Sequence, residues 1–148
     1  MDPQTTQPAP LLPPKKLLIV EDDFYIRDIY KIAAKNKGYV VYTAADGEEA
    51  LSLAKVAHPD IILLDIMLPK VSGIDILKTI KSWEGYKDVP IIMVTNVGEN
   101  ETYQQALQAG AADYILKVQQ TPVQIIEGLE KYNHPQNPGV PPAPTGQP

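Results

Sequence analysis

The amino-acid sequence predicts a doubly wound α/β fold, in which a five-stranded parallel sheet of order 2-1-3-4-5 lies between two layers of helices. Two observations lead there. Aliphatic runs recur as LLIV (17–20), YVVYTA (39–44), IILL (61–64), IIMV (91–94) and YIL (114–116), and a helical pattern follows each one, which makes a repeating βα unit. The runs at 17–20, 61–64 and 91–94 are apolar at every position, as parallel strands covered on both faces require. The segments 39–44 and 113–117 (DYILK) are mixed and read as edge strands. The order 2-1-3-4-5 accommodates all five with right-handed crossovers and short connections.

The helices follow from spacing. Ile26, Ile29, Tyr30 and Ala33 recur at i, i+3, i+4 and i+7, as do Ala50, Leu53, Ala54 and Ala57, and Gly73, Ile76, Leu77 and Ile80. Tyr103, Ala106, Leu107 and Gly110 give a fourth stripe, and Pro122, Ile125, Ile126 and Leu129 a fifth, with Thr121 as N-cap and Pro122 at the first helical position.

Composition bounds the rest. The 148 residues are 44% hydrophobic and 21% charged, as in one globular domain able to bury a core. Eleven of the fifteen prolines fall in residues 1–14 and 133–148, so these tails are expected to be disordered and the folded body to span 15–132. A net charge of -5 without a basic stripe argues against nucleic-acid binding by this chain. There is neither a signal-peptide pattern nor an apolar run approaching the ~18 residues of a membrane span, so a cytoplasmic protein without membrane contact is expected. The absence of cysteine removes disulfides, thiol catalysis and thiolate metal sites.

Four strand runs end on polar residues: Val20 on Glu21 and Asp22, Leu64 on Asp65, Val94 on Thr95, Leu116 on Lys117. In a parallel sheet all carboxyl ends share one side, so these residues converge in the crevice where open α/β sheets bind ligands. Clustered carboxylates need a counterion, and an oxygen-only ligand set with an open side suits Mg²⁺. With that ion, Lys117 and the Thr95 hydroxyl offsetting a phosphoryl group's charge, Asp65 is the natural nucleophile, since carboxylates accept phosphoryl groups as acyl phosphates.

At these residues the chain resembles the receiver domain of two-component response regulators, over Lys16 to about Tyr132. The intervals of 43, 30 and 22 residues from Asp22 through Asp65 and Thr95 to Lys117 suit that family, as do Pro69, Gly73 and the stretch AGAADY (109–114). The resemblance implies a flavodoxin-like sheet and phosphoryl transfer to Asp65 from a histidine kinase or phosphotransfer protein. It also implies Mg²⁺ held by Asp22, Asp65 and the Met67 backbone carbonyl, with Glu21 acting through a water. Thr95 and Tyr114 would be the switch pair, and the signal would leave through helix 4, strand 5 and helix 5, to a partner or a second copy. Apolar Met67 and Val97, two residues beyond Asp65 and Thr95, imply a long-lived phosphoform. Two departures stand out: Val118 replaces the proline that usually follows the lysine, and Asn96 replaces a smaller residue after the threonine.

Other readings are weaker. Asp23 reads as a helix cap alone. An aspartate-based phosphatase would place a second aspartate where Met67 stands, so the chain is expected to be a phospho-acceptor rather than an enzyme. A flavin carrier would need a phosphate loop where Glu21, Asp22 and Asp23 would repel phosphate. A receiver blind to phosphorylation would not need all five site residues.

Overall fold

The computed structural model describes residues 13–96 and 98–133. Five strands, β1 (Lys16–Val20), β2 (Val40–Ala44), β3 (Ile61–Asp65), β4 (Ile91–Thr95) and β5 (Asp113–Leu116), form one sheet in the order β2-β1-β3-β4-β5. Every neighbouring pair is parallel, and the two mixed segments occupy the edges as predicted. Between the strands run α1 (Phe24–Asn36), α2 (Gly47–Ala57), α3 (Gly73–Ser82) and α4 (Asn100–Gln108), with α5 (Pro122–Gly128) closing the series. Of the two proline-rich tails, Pro13, Pro14 and Asn133 are among the described residues, and 1–12 and 134–148 lie outside them. Among the described residues no helix is long and apolar enough to cross a membrane.

Because strand side chains alternate, each central strand feeds two cores. Leu18, Val20, Ile62, Leu64, Ile91 and Met93 pack with Ala50 and Ala54 of α2, Ile76, Leu77 and Ile80 of α3, and Ala106 of α4. Leu17, Ile19, Ile61, Leu63, Ile92 and Val94 pack on the other face with Tyr30 and Ala34 of α1 and Ile125 and Ile126 of α5.

The caps position these helices. The Asp23 carboxylate accepts from the backbone N–H groups of Tyr25 and Ile26 at 2.9 and 3.0 Å. Thr121 and Gln124 form a reciprocal capping box ahead of Pro122, each satisfying an amide that a helix start leaves without a partner.

The α1 stripe differs from its predicted register. Tyr30 and Ala34 are the buried pair, and Ile29 is 44% exposed. The i, i+4 pair Tyr30 and Ala34 faces the sheet, which rotates Ile29 to the flank, where with Ile32, Val123 and Ile126 it lines a cavity of about 510 Å³ between α1 and α5. On α4, Ala106 is buried but Leu107 is exposed, and Gly110 lies beyond the helix at φ +101°, a conformation glycine adopts without steric cost.

Candidate functional site

The site grows from the carboxyl ends of β1, β3, β4 and β5. The register pairs Val20 with Leu64, Asp65 with Val94 and Thr95 with Leu116, so the residues after each strand reach one rim. Glu21 is still tied to the sheet edge by its N–H to the Ala44 carbonyl at 3.1 Å. Its side chain turns inward and is buried, whereas Asp22 stays exposed. The Asp23 N–H donates to Glu21 Oε2 at 3.1 Å, and Arg27 donates to the carbonyl oxygens of Glu21 and Asp22 at 2.9 and 3.4 Å.

Asp65 is the last residue of β3 and is 5% exposed. Its Oδ1 accepts from the Met67 N–H at 3.0 Å, and its Oδ2 accepts from Lys117 Nζ at 2.7 Å. The loop beyond is drawn back sharply. Val71 N–H bonds the Pro69 carbonyl at 2.8 Å across Lys70, which sits at φ 71°, the positive-φ geometry of an uncommon γ-turn. Gly73 N–H then bonds the Ile66 carbonyl at 2.9 Å. A Cβ at Gly73 would lie 2.3 Å from the Asp65 carbonyl oxygen, so α3 can start against the end of β3 only with glycine there.

Lys117 closes the site. It opens a short 3₁₀ turn, Lys117–Gln119, and its Nζ donates to Glu21 Oε1 at 2.6 Å as well as to Asp65. The described residues contain no cis peptide bond, and Val118 projects 78% exposed, so the turn accommodates the residue that stands where a proline was expected. Burial pushes the Glu21 carboxyl up to about 7, against the lowering effect of its bond from Lys117. Burial also pulls the Lys117 ammonium down, but bonds to Asp65 and Glu21 outweigh it and leave the group above its ordinary value.

Glu21, Asp22 and Asp65 each offer a carboxylate oxygen, all within 4.8 Å of one another. That donor set fits a hard, oxygen-seeking cation. Thr95 is buried at the end of β4, and Met67 is held at the rim through its N–H. Tyr114 is half-buried on β5 and edge-on to Tyr103 with ring centroids 5.3 Å apart. Asn96 is exposed, and Val97 lies outside the described residues.

A family model, the response regulator receiver domain, matches residues 17–129. The chain belongs to the response regulator receiver family. Among its relatives is the probable transcriptional regulator ycf27 of Guillardia theta, 43% identical over 103 residues that make up 70% of this chain and 39% of that protein. The receiver thus spans about two fifths of the length of the curated relatives it matches first. The chemotaxis response regulator CheY4 of Vibrio cholerae is similar in structure, at 32% identity and a TM-score of 0.74, covering 80% of this chain and 98% of that one. The beryllofluoride-activated DrrB receiver domain matches at 27% identity and a TM-score of 0.71, covering 81% and 97%. Receiver domains are phospho-acceptor signalling modules that partner with histidine kinases, and the acidic pocket of Glu21, Asp22 and Asp65 is typical of their phosphoacceptor site.

One residue beside this receiver's site escaped the sequence reading. Arg27 lies four residues after Asp23, an i, i+4 spacing that could have signalled a bond back to the acidic turn.

Proposed function

We propose that Asp65 accepts a phosphoryl group from the phosphohistidine of a histidine kinase or phosphotransfer protein, within a receiver body spanning 15–132. The observation that carries this reading is the Lys117 bond to Asp65 Oδ2 at 2.7 Å, with Asp65 and Glu21 both buried and Asp22 open to solvent beside them. A carboxylate oxygen attacks phosphorus, the new P–O bond forms as the P–N bond breaks, and the electron pair leaves with the donor imidazole. The carboxylate is held for this by the Met67 N–H on its other oxygen, which limits its rotation.

A divalent cation, Mg²⁺ by the oxygen-only donor set, would be held by Asp22, Asp65 and the Met67 backbone carbonyl, with Glu21 one water removed, and would offset charge on the phosphoryl oxygens. Lys117 turns from the carboxylates to a phosphoryl oxygen, and the Thr95 hydroxyl donates to another. Movement of Thr95 leaves space behind β4, into which Tyr114 turns, and the surface of α4, β5 and α5 passes the change to a protein partner or a second copy. Met67 offers no group to orient an attacking water, which favours a long-lived phosphoform.

Incubation with Mg²⁺ and a small phosphodonor should add one phosphoryl group by intact mass, labile to hydroxylamine. An adduct of equal yield in Asp65→Asn would refute the assignment.

A further inference from the structure

Glu21 and Asp65 are each held at both carboxylate oxygens. Lys117 Nζ and the Asp23 N–H bond Glu21 at 2.6 and 3.1 Å, and Lys117 Nζ and the Met67 N–H bond Asp65 at 2.7 and 3.0 Å. Asp22 is different. It is exposed, and among the described residues its carboxylate has neither a hydrogen bond nor an ion pair. One of its oxygens nevertheless lies within 4.8 Å of a carboxylate oxygen from each of the other two acids. Like charges so close repel, so something other than its own side chain keeps Asp22 at that place.

That leaves the main chain. Among the described residues no backbone N–H bonds the carbonyl oxygen of Glu21 or of Asp22. Both are taken instead by one nitrogen of one side chain: Arg27 Nη1 donates to Glu21 at 2.9 Å and to Asp22 at 3.4 Å. This nitrogen carries two hydrogens, one for each carbonyl. The guanidinium is itself seated, with its carbon 5.5 Å from the centroid of the Phe24 ring, a cation–π arrangement. The arginine backbone is fixed by its N–H bond to the Asp23 carbonyl at 2.9 Å. Arg27 is thus clamped on the first turn of α1 and grips peptide oxygens, leaving the carboxylate oxygens of the cluster to a cation.

We propose that Arg27 is a positioning residue of the cation site, holding Asp22 in ligand position through the carbonyl oxygens of Glu21 and Asp22. The inference rests on the proposed cation at Asp22 and Asp65. It also carries a sign that charge alone reverses. A positive side chain beside a cation site opposes metal binding, so a neutral residue at position 27 would bind metal more tightly if charge were all that Arg27 contributes. If its grip on the turn is what matters, loss of the donor weakens binding by about tenfold, as for other groups that orient a metal ligand.

The test uses the full chain and Mg²⁺ alone, titrated into metal-free protein and read at the amide signals of Asp22, Asp65 and Met67. Arg27→Met keeps the stem and removes the donor. It should bind Mg²⁺ about tenfold more weakly than the wild type, and the Asp22 and Asp23 amide signals of the metal-free variant should move. Arg27→Lys keeps the charge but ends one bond short of Nη1. It should bind about threefold more weakly, and it decides alone if Arg27→Met fails to fold. Unchanged or tighter Mg²⁺ binding in the variants, whether or not their metal-free melting temperature falls, marks a merely structural or merely electrostatic arginine and overturns the proposal while leaving the cation reading intact. If Mg²⁺ leaves all three amide signals of the wild type in place, the cation reading and the proposal fall together.

Discussion

Lys117 and Glu21, ninety-six residues apart in sequence, meet at 2.6 Å with side chains 11% and 2% exposed. A cation so placed lets two acids be buried at one rim. Removing one partner of a buried ion pair commonly costs 3–5 kcal/mol, because the remaining charge is uncompensated. Lys117→Ala should therefore cost about 3 kcal/mol in urea unfolding at neutral pH without metal. A loss below ~1 kcal/mol would mean that the pair does not brace the site.

The pH dependence follows from Glu21. Its carboxyl is raised from 4.5 to about 7 by burial, so between those values the folded chain binds more protons than the unfolded one. Its contribution to stability therefore falls as pH rises from 4.5 to about 7, with the full penalty present above that window. Lys117, raised from 10.5, adds stability below that value and loses it only above, outside this window. In chelator, the stability difference between Glu21→Gln and wild type should grow in the variant's favour from pH 5 to 7. A difference independent of pH would contradict the buried-carboxyl account.

Cation binding should stabilise the fold by mass action, by ~2.7 kcal/mol when metal is a hundredfold above its dissociation constant. Asp22 is the exposed member of the three-carboxylate cluster. Asp22→Ala should lose most of the Mg²⁺-dependent rise in melting temperature while melting near the wild-type value in chelator. An equal Mg²⁺ effect in both proteins would displace the proposed ion from this cluster.

Gly73 makes a steric prediction. With 2.3 Å between a built Cβ and the Asp65 carbonyl oxygen, Gly73→Ala must push α3 away from the end of β3. Overpacking of this kind costs about 1–3 kcal/mol. Amide shifts should change at Asp65 and Ile66 in the variant, and an unchanged melting temperature would show that the junction has slack.

How much of this could be read from the chain depends on whether a signal is local. Strand order and the convergence of Glu21, Asp65, Thr95 and Lys117 follow from unbroken apolar runs ending in polar residues, which topology brings to one edge. Asp23 as a cap is equally local, since its partners are two and three residues away. The different fates of Glu21 and Asp22 are not local: adjacent acids look alike in sequence, and only packing of α1 against the sheet sends one inward to Lys117. The rotation that exposes Ile29 has the same origin, because spacing defines a stripe but not its centre.

The sheet order also bears on how the chain acquires its structure during synthesis. β1 lies between β2 and β3, and β4 and β5 are added outward from β3 in the order in which they are made. A nascent chain therefore cannot satisfy both edges of its first strand until Asp65 has emerged from the ribosome. After that, each new βα unit has a template waiting. The last strand to arrive is also the shortest, four half-buried residues against five in each of the others. In native-state hydrogen exchange β5 should open at lower free energy than β1 and β3. Because Lys117 follows β5 directly, local fraying would carry the site's cation away from both acids before the central strands part.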